Sequence, residues 1–259
     1  NNTAKLNDLT APTVTVAITL ITDDTGKADD YITSDTLLTV SGTISDALAI
    51  GETVQVSNDG KVTWEDSTYP TSTTWKLVDT DTHTGDFTYD VRVIDSNSNV
   101  GNTDTQEVDI DTAGPELSAQ IIVATGNDLI TVGFGEEVFN TSGGSGPLEA
   151  DDFKFSLTAG PCTLVSATPS SIAVNGTPPT YKLGLSLTGT SDGSQELTLA
   201  VAGNAIFDVA GNAAPATSQP NNTAKLNDLT APTVTVAITL ITDDTGKADD
   251  YITSDTLLT

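Results

Sequence analysis

The sequence predicts an all-β chain of tandem sandwiches, two complete and a third begun, and three observations carry that expectation. Apolar residues alternate with polar ones at period two in short runs, the mark of half-buried strands. Residues 1–39 recur without one change at 221–259, an offset of 220 residues. Chance does not produce such a match, so the chain reads as part of a tandem array. A weaker punctuation recurs inside the unit: Asp8-Leu-Thr-Ala-Pro12, Asp111-Thr-Ala-Gly-Pro115 and Asp228-Leu-Thr-Ala-Pro232 each set an Asp four residues before a Pro that opens an apolar run. Proline is tolerated at the first residue of an edge strand, so each motif reads as a domain entrance. The expected division is a linker over 1–11, sandwiches over 12–114 and 115–231, and the start of the next copy over 232–259.

In the first sandwich Val14, Val16, Ile18 and Leu20 fall on one face of a strand, and Leu38, Val40, Gly42 and Ile44 on one face of the next. Val54 and Val56 lead through Ser57-Asn58-Asp59-Gly60 to Val62 and Trp64, the pattern of a hairpin with an Asn/Asp-Gly turn. Trp75 and Leu77 mark a further strand; Phe87, Tyr89, Val91 and Val93 another; Val108 and Ile110 the last. About seven short alternating strands without a helix describe a sandwich of immunoglobulin type. The second sandwich keeps this grammar through Leu117, Ala119, Ile121 and Val123, then Ile130, Val132 and Phe134, then Phe153, Phe155 and Leu157. Tyr181 to Leu187 and Leu197 to Val201 supply its later strands.

The stretch GDFTYDVRVIDSNSNVGN followed by VDIDTAGP resembles the end of a bacterial immunoglobulin-like repeat from giant surface adhesins. Tyr89 stands two residues before Val91, where immunoglobulin domains place a Tyr two before their second core Cys. No Cys stands there, so packing alone must hold this sandwich. The passages VGFGEEVFN, DDFKFSL and AGNAIFDVAGNAA resemble a second type of bacterial immunoglobulin-like repeat, which carries a phenylalanine-acid-valine motif early and an Asp-x-Ala-Gly-Asn turn late. The resemblance implies a cell-surface adhesin of the biofilm-associated or large repetitive kind, extracellular and bacterial.

Composition narrows the chemistry. The 259 residues include 36 acidic and 9 basic ones, for a formal charge of -27, with one His, one Cys and no Met. One Cys cannot make a disulfide framework, and one His with one Cys cannot make a zinc site of the usual kind. A Ser/His/Asp centre would have to use His83. Nothing places a paired carboxylate in an apolar pocket where it would act as an acid, so no enzyme is expected. The charge repels phosphate backbones and anionic lipid, which argues against nucleic acid and membrane insertion and in favour of divalent cations. No run approaches 18 apolar residues and no signal peptide is visible; the missing initiator Met is expected of an excerpt or a processed product.

Asp23, Asp24, Asp29 and Asp30 share one eight-residue loop, repeated as Asp243, Asp244, Asp249 and Asp250. Close carboxylate pairs repel by roughly 3 to 4 kcal/mol at an effective dielectric near 20, a conflict that calcium removes. The alternative is a solvated loop with its charges turned apart. Asp95, Asn97 and Asn99 imitate the start of an EF-hand loop, but Gly101 comes one residue late and no Glu closes it. The resemblance implies that such turns, with Asp109 and Asp111 at the domain exit, lie near a junction and hold calcium there. The corresponding second junction would use Asp208, Asn212 and Asp228, with Asp8 as the copy of Asp228. Turn chemistry explains Asp and Asn at these places equally well.

Other features read as structural. The glycine run at 142–147 lacks the Lys-Ser/Thr and helix of a phosphate-binding loop and reads as a flexible surface loop. His83 lies in a polar stretch and is expected to be exposed, while Cys162 is expected to be a small buried thiol. Trp64, Tyr69 and Trp75 could offer a sugar platform, although Trp on a strand is usually core. The function expected is a structural repeat of an extracellular stalk or fibre, stiffened by Ca2+, whose partners are neighbouring identical repeats or subunits. The alternatives are a subunit of a strand-exchanged filament and a module that binds a glycan or surface receptor.

Overall fold

The computed structural model describes residues 8–176 and 179–237. The expectations for residues 1–7 and for the Asp243 to Asp250 loop lie outside the described residues, as does most of the third sandwich's start. The described chain is all-β and immunoglobulin-like, with strands β1 (Val16–Ile21), β2 (Ile32–Thr33), β3 (Thr39–Ile44), β4 (Glu52–Ser57), β5 (Glu65–Asp66), β6 (Thr68–Thr71), β7 (Thr74–Val78), β8 (Phe87–Asp95) and β9 (Val100–Ile110) in its first part. One sheet runs β1-β3-β7-β6 and the other β2-β9-β8-β4-β5, antiparallel except where β2 pairs parallel with β9. Between them Val40, Val54, Trp75, Tyr89, Val91, Val93 and Val108 are wholly buried.

Trp75 crosses this core and donates its indole N–H to Ala17 O (3.2 Å). Gly42 on β3 lies beneath it, and a Cβ there would strike Ala17 O and the Trp75 ring. The outer edge of β1 finds side chains in place of a ladder: Val16 N donates to Asn102 Oδ1 (2.7 Å) and Ile18 N to Asp104 Oδ2 (2.8 Å). These bonds seal the seam between the sheets and satisfy amides that would otherwise be orphaned.

Three details depart from the sequence expectation. The register of β1 against β3 shifts between Ile18 and Leu20, so Ile21 turns into the core and Leu20 is left 43% exposed. Such a bulge inserts one residue and reverses the faces beyond it. The turn after β4 is a longer loop than a two-residue hairpin, because Asp59 gathers Ser57 Oγ, Val62 N, Thr63 N and Thr63 Oγ1. These bonds, that from Thr63 Oγ1 foremost, hold its carboxyl down at about 2. Val62 is exposed in consequence, and pairing resumes at β5. Third, His83 is largely buried, stacked on Phe87 at 3.6 Å between ring centroids, with Nε2 2.8 Å from Asp79 Oδ2. The polar sequence around it concealed this partner.

The second part comprises β10 (Ile122–Val123), β11 (Leu129–Gly133), a 3-10 turn (Ala150–Asp152), β12 (Phe153–Leu157), β13 (Thr163–Leu164), β14 (Ile172–Asn175), β15 (Thr180–Gly184), β16 (Leu187–Thr188), β17 (Glu196–Val201) and β18 (Thr223–Lys225). Its sheets run β10-β11-β15-β14 and β12-β17-β18, with a short β13-β16 pair. Its core is separate, built on Ile130, Phe153, Leu183, Leu197, Leu199 and Ile206, and it includes Leu226. Cys162 is buried here, as expected of a small thiol, and Gln195 Oε1 accepts from both its N–H and its Sγ.

Candidate functional site

The entrance motifs and the Asp-x-x-x-Asn turns interlock in the same way in both sandwiches. Asp95 Oδ1 accepts from Asn97 N and Asn99 N (2.8 Å each), and Asn99 Nδ2 donates both to Asp95 Oδ2 (2.8 Å) and to Asp8 O (3.0 Å). In the second, Asn212 N donates to Asp208 Oδ1 (2.8 Å), while Asn212 Nδ2 donates to Asp208 Oδ2 (2.9 Å) and to Asp111 O (2.8 Å). Each sandwich thus grips the linker that enters it. Both oxygens of Asp95 are taken by this turn, and the Asn99 side-chain bond, the strongest of several, holds its carboxyl below the ordinary range. Asn97 is exposed and serves through its backbone.

The two parts of the chain meet at the acidic loop. Lys27 N donates to Val209 O (2.9 Å), and Thr25 Oγ1 donates to Ala210 O (2.8 Å). Gly26 has φ 73 and faces Val209 O so closely that a Cβ would collide with it. Only glycine suits both the left-handed backbone and the approach. The glycine run is not free surface either: Gly144, with φ 58, packs against Lys27. Asp109 and Asp111 enter through backbone bonds, Asp109 N to Tyr31 O and Asp111 N to Thr33 O (3.0 Å each).

Within that loop Asp24 and Asp30 are half-buried, whereas Asp23 and Asp29 are exposed and adopt positive φ. Asp24 Oδ1 and Asp30 Oδ2 are shut off from solvent without a hydrogen-bond partner among the described residues. Burial, with smaller contributions from Asp30 and Asp29, pushes the Asp24 carboxyl above its ordinary range. Orphaned anionic oxygens of this kind are costly and call for a cation or a proton.

At the junction Asp111, Glu136 and Asp208 each present a carboxylate oxygen, and the three atoms lie within 4.8 Å of one another. Among the described residues this is the one such group of three acidic side chains. Asp208 is fully buried. Burial, opposed by the Asn212 and Gly211 bonds and abetted by Asp111, raises its carboxyl. Glu136 is exposed as a residue, yet loss of water around its carboxyl, then the charges of Asp208 and Asp111, push it up to about 7. A calcium ion holds oxygens at roughly 2.3 to 2.6 Å, so oxygens this close can share one. An all-carboxylate set suits calcium, magnesium or manganese better than zinc or copper, which favour nitrogen and sulfur ligands.

Three corrections follow. Asp208 and Asn212 do not form a second junction with Asp228: they grip Asp111, at the entrance to their own sandwich. Asp228 bridges Asp192 and binds Thr230 through its own carboxylate, the ordinary turn chemistry of Asp. Glu136, which the sequence reading passed over, is the third acid, and VGFGEEVFN was the signal that contained it. The three aromatics do not form one joint sugar platform, since Trp75 is not at the surface. Trp75 is fully buried, Arg92 covers Trp64 at 3.9 Å, and the Tyr69 hydroxyl accepts from Val54 N.

No family model matches the chain, and no curated protein matches it. Among solved structures it is similar to the BSP domain of a biofilm-associated protein, with 15% identity over 85% of this chain and a TM-score of 0.27. The match spans 30% of that protein's chain. A chimeric titin Z1Z2 carrying an exogenous decorin peptide gives 13% identity over 82% of this chain and 97% of its own, with a TM-score of 0.25. The titin domains z1z2 in complex with telethonin give 12% identity, coverage of 83% and 98%, and a TM-score of 0.23. At such TM-scores none of the three decides anything about this chain, whose fold class rests on its own strand pairing.

Proposed function

We propose that this chain is a structural repeat of an extracellular bacterial surface stalk of the biofilm-adhesin kind, and that calcium stiffens the joint between its two sandwiches. The observation that carries the reading is the convergence of Asp111, from the linker, with Glu136 and Asp208 of the second sandwich, all within 4.8 Å. Bound there, calcium would set a positive charge among the three carboxylates, and it would tie the linker to the sandwich that already grips it through Asn212. Asp24 and Asp30, each with a buried oxygen that lacks a partner among the described residues, would take a cation in the loop that docks on Val209 and Ala210. A copy every 220 residues gains reach and no chemistry. Weak oxygen sites of this type fill at the millimolar calcium outside cells.

Titration calorimetry with calcium tests this reading. The parent is expected to bind with a dissociation constant on the order of 10⁻⁴ to 10⁻³ M. Asp208→Asn should weaken that affinity at least tenfold, while Asp228→Asn leaves it unchanged. Equal binding by the parent and Asp208→Asn would remove the junction from the proposal.

A further inference from the structure

Residues 221–228, Asn-Asn-Thr-Ala-Lys-Leu-Asn-Asp, close the second sandwich, and side chains along the whole segment specify the fit. β18 pairs with β17 in the register Thr223 to Thr198, Ala224 to Leu197 and Lys225 to Glu196. Leu199 N donates to Asn222 O (2.8 Å), and Asn222 Nδ2 donates back to Leu199 O (2.9 Å). Leu226 is 3% exposed and belongs to the core. Asn227 N donates to Asn127 Oδ1 (2.8 Å), and Asn127 Nδ2 donates to Asn227 O (2.9 Å), a reciprocal pair around a buried Asn127. Asn221 O accepts from Ile121 N (3.0 Å).

The same eight residues stand at 1–8. The first sandwich starts its pairing at Val16 and holds Asp8 only at its entrance, through Asn99, whereas the place beside β17 in this chain is already filled. We propose that residues 1–8 are the closing strand of the second sandwich of another copy, so that the folding unit runs from 9 to 228 and spans the sequence boundary. Thr3, Ala4, Lys5 and Leu6 would stand where Thr223, Ala224, Lys225 and Leu226 stand here. An identical strand meets an identical slot, so recognition needs nothing beyond what the second sandwich shows. Without that strand β17 would present a row of unpaired amides and uncover Leu197 and Leu199, the edge that strand addition satisfies. The inference rests on the tandem reading for its host, another copy, and not on calcium.

The test uses the full chain in chelator, which separates its outcome from that of the metal. Leu226→Asp disables the resident strand and leaves residues 1–8 intact. Sedimentation velocity should show head-to-tail oligomers for this variant, a return to monomer for Leu6→Asp/Leu226→Asp, and a monomer for Leu6→Asp alone. When Thr3→Cys is placed on one set of Leu226→Asp chains and Thr198→Cys on another, the mixture should cross-link between copies. Should the double variant lose its fold, a peptide of residues 1–10 should restore its near-ultraviolet circular dichroism, and the same peptide with Leu6→Asp should not. Association independent of Leu6, or absence of both association and peptide rescue, overturns the proposal.

Discussion

Asp79 is a charge buried at the edge of the first core and held by four groups. Tyr89 Oη donates to its Oδ2 (2.6 Å), Asn58 Nδ2 and Asp81 N donate to the carboxylate, and His83 Nε2 lies at 2.8 Å. Burial alone would raise its carboxyl, but these bonds together outweigh burial and hold it below the ordinary range. A depressed carboxyl stabilises the fold above its unfolded pKa and loses that contribution as pH falls through the folded value. Asp79→Asn should therefore lower stability at pH 7 by about 1 to 3 kcal/mol and flatten its decline below about pH 4, as read by urea unfolding. Glu136 has the opposite sign. With its carboxyl up at about 7, the folded chain binds the extra proton, and without metal stability falls as pH rises from the ordinary glutamate value toward 7. Calcium bound as proposed would require the ionised form, so its affinity should rise over the same window. Glu136→Gln should gain about 1 kcal/mol at pH 7.5 in chelator, after solvent screening is allowed for, and lose stability relative to the parent in calcium.

At the scale of elements, the docked loop is the part most sensitive to one carbon atom. Gly26→Ala adds a Cβ against Val209 O on a backbone with φ 73. It should cost about 1 to 3 kcal/mol. The loss belongs to the docking of residues 23–30 on 208–211 and not to either core. Amide exchange should then accelerate at Lys27 while Val40 and Leu199 keep their protection; uniform acceleration would place Gly26 in the fold of the first sandwich instead. Much of each sandwich was legible in its alternation, since Val54, Val56, Tyr89, Val91 and Val93 are core residues as read. The bulge in β1 was not, because Val16 to Leu20 alternates without a break and only the pairing with β3 forces the shift. The junction was legible in its residue types and not in its grouping. Asp111, Glu136 and Asp208 are brought together by chain entrances and turns far apart in sequence, which no local spacing encodes.

On the scale of the whole molecule, identical sequence meets different fates. Val16 is 5% exposed, whereas Val236, its copy, is 88% exposed. β3, β8 and β9 surround the first copy, so its burial depends on the strands packed against it as well as on its own sequence. The joint should respond as a unit. Small-angle scattering of the parent is expected to give a narrower distribution of end-to-end lengths in calcium than in chelator. Asp208→Asn should show the chelator distribution under both conditions, and a parent insensitive to calcium would leave the joint as stiff as its hydrogen bonds alone make it.

The parallel pairing of β2 with β9 bears on how such a chain takes a load. A load that drew β2 and β9 apart along their length would strain the bonds from Asp109 N to Tyr31 O and from Asp111 N to Thr33 O together. Strands peeled from one end give way bond by bond. Rupture in that lengthwise geometry demands simultaneous failure, a resistance the proposed stalk would use.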